Sequence, residues 1–130
     1  MTCTRRGFLG AGAAGLSGLA LTGQATATGK AKSEVVVGKG AAAEIIPRLM
    51  EKLGGIGRFV KADSRVMIKP NMSFANPPDW ATTTSPEAVL AVVKLCVEAG
   101  AKRIIVCDNT LRDPDLCRQK TGIPDAIKEY

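Results

Sequence analysis

Any chemistry this chain performs is done without histidine, because none of its 130 residues is one. That removes histidine acid–base catalysis, Ser-His-Asp and Cys-His nucleophile systems, and histidine metal ligation. Neither a paired set of catalytic carboxylates nor a metal-ligand motif takes its place, so no catalytic residue is assigned. What the sequence offers is a series of short polar clusters placed where apolar runs stop. Gly38-Lys39-Gly40, Lys69-Pro70-Asn71 and Asp108-Asn109-Thr110 each follow such a run, and Thr82-Thr83-Thr84-Ser85 precedes one. If the runs are parallel strands, the first three clusters lie at strand carboxyl ends, where doubly wound sheets bind their ligands. The threonine run would open a helix and present free backbone N–H groups and a positive dipole end to an anion. Lys69 adds a point charge, and Asn71 and Asp108 add oriented polar groups. Lys69, Asn71, Thr82, Thr83, Thr84 and Asp108 are therefore the candidate ligand-binding set, suited to a phosphate, a carboxylate, or a metal bridged to one. Each has a structural alternative: a strand-ending turn for Lys69-Pro70-Asn71, capping for the threonines and for Asp108. Gly38-Lys39-Gly40 is not a nucleotide-binding fingerprint, because the remaining glycine spacing is absent.

The elements that would position this set are legible from periodicity. Glu34-Val35-Val36-Val37-Gly38 reads as a buried strand of β-branched residues. A helix is expected over Ala41 to Leu53, with Ile45, Leu49 and Leu53 on one stripe and a late start or kink at Pro47. Gly54-Gly55-Ile56-Gly57 stops it. Arg65 to Ile68 is the second strand, and a loop runs from Met72 to Thr83. The next helix is expected to be capped by Thr84 with Glu87 in a capping box, Pro86 in its first turn and Gly100 at its end. It is apolar over most of its surface and should be buried. Arg103 to Cys107 is the third strand, Thr110 to Thr121 a polar loop, and Gly122 to Tyr130 the opening of another helix. Apolar strands joined by helices imply a mainly parallel sheet covered on both faces. The expected fold is α/β, three-layered, in βαβαβ order. With three strands and a helix begun at its end, it is expected to be an incomplete domain or fragment.

The amino-terminal segment has a different logic. Arg5-Arg6 followed by Gly7-Phe8-Leu9 resembles the twin-arginine export signature, and Ala11 to Gly23 is an uncharged, weakly apolar run. That run is too short and glycine-rich for a spanning helix, which needs ~20 predominantly apolar residues. Ala25-Thr26-Ala27 supplies the small-x-small pattern of a signal peptidase site. The expected organisation is a signal peptide over 1–27, a polar lead-in over 28–33 and a partial α/β domain over 34–130. The expected partners are the twin-arginine translocation machinery and signal peptidase, and the expected location is the periplasm or another extracytoplasmic space. The export resemblance carries an implication of its own, since such substrates cross the membrane folded, often because a cofactor is loaded first.

Composition narrows the partners further. Lysine and arginine number 18 against 12 acidic residues, but no basic run of five occurs and aromatics are 4% of the chain. That is too few for base-stacking platforms, so nucleic acid is not an expected partner. Past the leader, which holds Cys3, three cysteines remain. Cys96, Cys107 and Cys117 form no Cys-x-x-Cys pair. They read as two buried thiols and one loop thiol, with a Cys107–Cys117 disulfide, or ligation completed from elsewhere, as alternatives.

Taken together, Val66-Met67-Ile68-Lys69-Pro70-Asn71, Ala81-Thr82-Thr83-Thr84-Ser85-Pro86-Glu87, Glu98-Ala99-Gly100-Ala101 and Val106-Cys107-Asp108 resemble the bacterial and archaeal domain-of-unknown-function 362 family, from about Val35 to Tyr130. Family members are usually much longer, so the resemblance is to their amino-terminal part. Some relatives carry ferredoxin-type cysteine motifs, which implies iron–sulfur or redox roles for them. This chain has no such motif, and it has Ser85 where relatives often have histidine. The resulting expectation is an exported protein with a small-anion or metal-linked site at the strand carboxyl ends, with an iron–sulfur or redox association implied by the resemblance. The alternatives are a non-catalytic ligand-binding domain, or a truncated fragment without independent activity.

Overall fold

The computed structural model describes residues 33–130, which form one compact unit over Ser33–Tyr130. The expected export signature and the expected cleavage site lie outside the described residues. The elements, in chain order, are helix α1 (Ala42–Lys52), strand β1 (Arg65–Ile68), helix α2 (Pro86–Glu98), strand β2 (Arg103–Val106), helix α3 (Pro114–Thr121) and helix α4 (Ile123–Ala126). The sheet has two parallel strands, with Arg65, Val66, Met67 and Ile68 opposite Arg103, Ile104, Ile105 and Val106. This is a mixed α/β fold built around one β–α–β crossover.

Alternation along the strands decides what is covered. Ile68, Ile104 and Val106 pack against a core of Met72, Val89, Val93 and Ile123, joined by Ile127. On the other face of the sheet Arg65, Met67 and Arg103 stay exposed. Helix α2 is apolar on more than one side because it has two neighbours. Val89 and Val93 enter the core, while Leu90, Ala91 and Leu95 line a groove shared with Ala43 and Pro47 of α1. Gly100, at φ +79°, ends α2 as its position in the sequence predicts.

Four expectations need correction. Glu34 to Gly38, the expected first strand, is not a strand among the described residues, so the described sheet has two strands where three were expected. The valines favour an extended backbone, but a strand also needs a pairing partner, and this segment lies along α1 instead. A Cβ on Gly38 would come within 2.8 Å of Ile45 Cγ1, so the glycine lets the chain press against that helix. Val36 is half-buried there, whereas Val35 and Val37 face out at 82% and 87% exposure. Helix α1 neither starts late nor breaks at Pro47; it runs continuously, forgoing the one hydrogen bond that proline cannot donate. The cap of α2 is Ser85, one residue later than expected. The Ala88 N–H donates to Ser85 Oγ at 3.3 Å, and Ser85 Oγ donates to Glu87 at 2.5 Å. Thr110 to Thr121 is not all loop, since α3 occupies its second half. Asp113 caps α3 by accepting from the Leu116 N–H at 2.9 Å, Pro114 takes the first position and Gly122 closes it at φ +67°.

Candidate functional site

The loop that leaves β1 is where the predicted site residues meet, and they meet in two groups. Asp108 immediately follows Cys107, one residue beyond the end of β2, and its side chain is 1% exposed. Its Oδ1 pairs with Lys69 Nζ at 2.5 Å and accepts from the Asn109 N–H at 2.9 Å. Its Oδ2 accepts from the Met72 N–H at 2.7 Å and from Ser73 Oγ at 3.2 Å. A buried carboxylate needs this much company, because an unpaired charge out of water is costly. The Lys69 ammonium foremost, with the Met72, Ser73 and Asn109 donors, holds the Asp108 carboxyl down at about 2, against the opposing effect of burial. Asp108 is therefore an anion at any neutral pH, and a poor proton carrier there.

The second group is built on Asn71. The Asn71 N–H donates to Thr84 Oγ1 at 2.8 Å and its side-chain amide donates to the Thr82 carbonyl at 3.1 Å. The Thr84 N–H returns a bond to the Asn71 carbonyl at 3.0 Å. Asn76 donates to Thr82 Oγ1 at 3.0 Å. The loop after β1 is thus laced both to the approach to α2 and to the end of β2. Thr83 is the exception, since its Oγ1 is buried with no hydrogen-bond partner.

The Thr84 N–H, one of the donors the sequence offered to an anion, is already occupied by Asn71. The open space lies on the other side of Asp108. A cavity of about 200 Å³ is lined by Met72, Val106, Cys107, Asp108, Asn109, Thr110, Pro114 and Arg118. Of the six candidates only Asp108 lines it. Arg118 and the first turn of α3 belong to this cavity but were missed in the sequence, because the segment carrying them reads as a polar loop; Thr110 closes the Asp108-Asn109-Thr110 cluster expected at a strand carboxyl end. The available signal was Asp113-Pro114 followed by Gly122, a start and a stop for a helix.

The three thiols among the described residues are free. Cys96 and Cys117 are buried and Cys107 is half-buried. Burial pushes the Cys96 thiol above its ordinary value, and Cys117 Sγ donates to the Ser73 carbonyl at 3.7 Å. Among the described residues, no three Cys, Asp or Glu side chains are grouped so as to hold a metal ion. An iron–sulfur cluster ordinarily takes four thiolates, and these three dispersed cysteines do not fit one.

Residues 66–130 match the family described as "Domain of unknown function (DUF362)", which covers half of the sequence, from the second residue of β1 through α4. The chain belongs to the DUF362 family. It is 50% identical over 54 residues to the "Thylakoid-associated protein sll1697" of Synechocystis sp., across 42% of this chain. The matched stretch spans 17% of that relative's length. No solved structure matches the chain. The site built on Lys69, Asn71 and Asp108 thus falls inside the part of the chain that defines its DUF362 membership. No helix among the described residues is long and apolar enough to cross a membrane.

Proposed function

We propose that this DUF362 domain binds a small anionic ligand, a carboxylate or a phosphate group, in the cavity at the carboxyl end of β2. The observation that carries the reading is Asp108. A buried carboxylate whose charge is matched by Lys69 does not repel an anion as a free one would, and its four contacts hold the rim of the cavity in place. Arg118 supplies a guanidinium suited to planar anions. Asn109 and Thr110 add polar groups, and the first turn of α3 adds its dipole. This is binding and orientation by preformed polar groups, with no assigned nucleophile or general base. Arg118 also pairs with Asp115 at 2.9 Å, an exposed contact of small value that a ligand can displace.

The finer readings of the sequence belong to the same proposal. The protein is exported by the twin-arginine route through Arg5, Arg6, Phe8 and Leu9, and signal peptidase cleaves after Ala27. The α/β domain then starts at about residue 34 and functions outside the cytoplasm. A redox or iron–sulfur role draws no support from the cysteines described above and would need ligands beyond them. Calorimetric titration of the protein with inorganic phosphate and with small mono- and dicarboxylates tests the binding claim. Saturable binding that Arg118→Gln abolishes is the expected result. Absence of binding across both classes refutes it.

A further inference from the structure

The opposite end of the sheet carries a second feature, unrelated to the cavity. Arg65 and Arg103 are partners in the parallel register and both are exposed. Like charges placed directly opposite each other destabilise a sheet, and neither arginine makes an ion pair among the described residues. The two turns flanking these strand starts are tied together. The Asp63 N–H donates to the Gly100 carbonyl at 2.8 Å, and the Lys102 N–H donates to the Ser64 carbonyl at 2.8 Å. That joins Lys102 to the arginines around an open depression of about 530 Å³, whose fourth residue, Asp63, is the single acid. The segment leading into β1 carries exposed Lys61 and Arg58, whose cations donate to the Gly57 and Leu53 carbonyls. It also adds Phe59, 58% exposed, with the Arg58 guanidinium 5.6 Å from its ring centre. Beyond the arginines, on the same face of the sheet, Met67 is 68% exposed.

We propose that this end of the domain is a docking surface for an anionic lipid bilayer. Three basic groups against one acid line the depression, with Lys61 in the adjoining turn, and charge complementarity selects an anionic partner. The depression is broad and open rather than enclosed, which fits a plane of headgroups better than one small molecule. Phe59 and Met67 are apolar groups of the kind that enter the headgroup boundary beside basic side chains. The attachment is peripheral and depends on salt.

The test is co-sedimentation of the full chain with vesicles of phosphatidylcholine alone or mixed with phosphatidylglycerol. The parent should bind the mixed vesicles at ~0.1 M salt and release at ~1 M, where screening shortens from ~10 to ~3 Å. Each basic group near the surface contributes about fivefold to partitioning. Arg65→Gln with Arg103→Gln should therefore weaken binding about twenty-five-fold. Lys61→Gln with Lys102→Gln is a second pair with the same expectation, should the first fail to fold. Arg48→Gln with Lys52→Gln, the same charge change on α1, should have less than a twofold effect. Phe59→Ser should weaken binding without altering its dependence on salt. The proposal is overturned if neutral vesicles bind equally, if the face variants bind like the parent, or if the α1 variants lose as much. It is also overturned if duplex DNA or inorganic phosphate displaces the protein from the vesicles at low micromolar concentration.

Discussion

Replacing Asp108 with Asn keeps the size of the side chain and removes the charge on which the loop after β1 depends. The loss can be worked out from its contacts. The Lys69 ion pair contributes ~0–1 kcal/mol, because the Lys69 side chain is 66% exposed and screened. The larger part comes from the acceptors. Oδ1 and Oδ2 together take the Met72 and Asn109 N–H groups and the Ser73 hydroxyl, and an amide nitrogen in place of either oxygen turns one side from acceptor to donor. Hydrogen bonds to a charged group contribute ~1.5–3 kcal/mol, and a buried donor left facing a donor loses all of that. The expected cost of Asp108→Asn is ~2–3 kcal/mol. Acid gives an independent check. Folding lowers the Asp108 carboxyl from an ordinary 3.8 to about 2, so between those values the unfolded chain binds the extra proton. The stabilisation is complete above about pH 4 and is lost as the pH falls toward 2. At ~1.4 kcal/mol per unit it amounts to at most ~2 kcal/mol. Urea unfolding followed by circular dichroism, at neutral pH and at intervals from pH 5 to 2, measures both quantities. A parent and an Asp108→Asn variant with stabilities within ~0.5 kcal/mol, or with parallel acid limbs, would refute the role given to Asp108.

The remaining predictions probe other contacts. Ser85→Ala should cost ~1 kcal/mol of stability as the loss of a helix cap. It should also let the Glu87 carboxyl, now held low chiefly by Ser85, rise toward its ordinary value in an NMR titration; Thr84→Ala should leave Glu87 where it is. Thr83→Val should leave stability unchanged or raise it by ~1 kcal/mol, since a buried hydroxyl without a partner only bears a desolvation cost; a loss above that size would reveal a partner. Gly38→Val should detach the segment before α1, because its side chain would collide with Ile45 and Leu49, and limited proteolysis at residues 34–40 should accelerate while the unfolding midpoint of the rest holds. With Cys3 replaced by Ser, Cys107 should react first with an aromatic disulfide reagent, and Cys96 and Cys117 only on unfolding.

Much of the fold was legible in the sequence because its signals are local. Arg65 to Ile68 and Arg103 to Val106 are short apolar runs bounded by turn residues, and Pro86 with Glu87 and Gly100 bracket α2. What was not legible depends on distance. The valines of 35–37 have strand propensity, but whether they pair depends on where the rest of the chain places an edge, and here the segment lies along α1 instead. Asp113-Pro114 starts a helix that shows little apolar periodicity, since Cys117 and Thr121 are its only buried positions. Lys69 and Asp108 were each visible as polar residues ending an apolar run. That they form one ion pair follows from the parallel register, which sets Ile68 beside Val106. The basic residues at the amino end of the sheet read as scattered along the chain, and only the pairing of the two turns gathers them.

The most direct test of the ligand site is the amide spectrum of the isotope-labelled protein, titrated with the anion that binds best in calorimetry. If the cavity beside Asp108 is the site, the Asn109, Thr110 and Arg118 signals should shift together along one saturation curve, and those of Thr82 to Thr84 should stay still. Shifts confined to Thr82–Thr84 and Asn71, or no saturable shift at all, would contradict it.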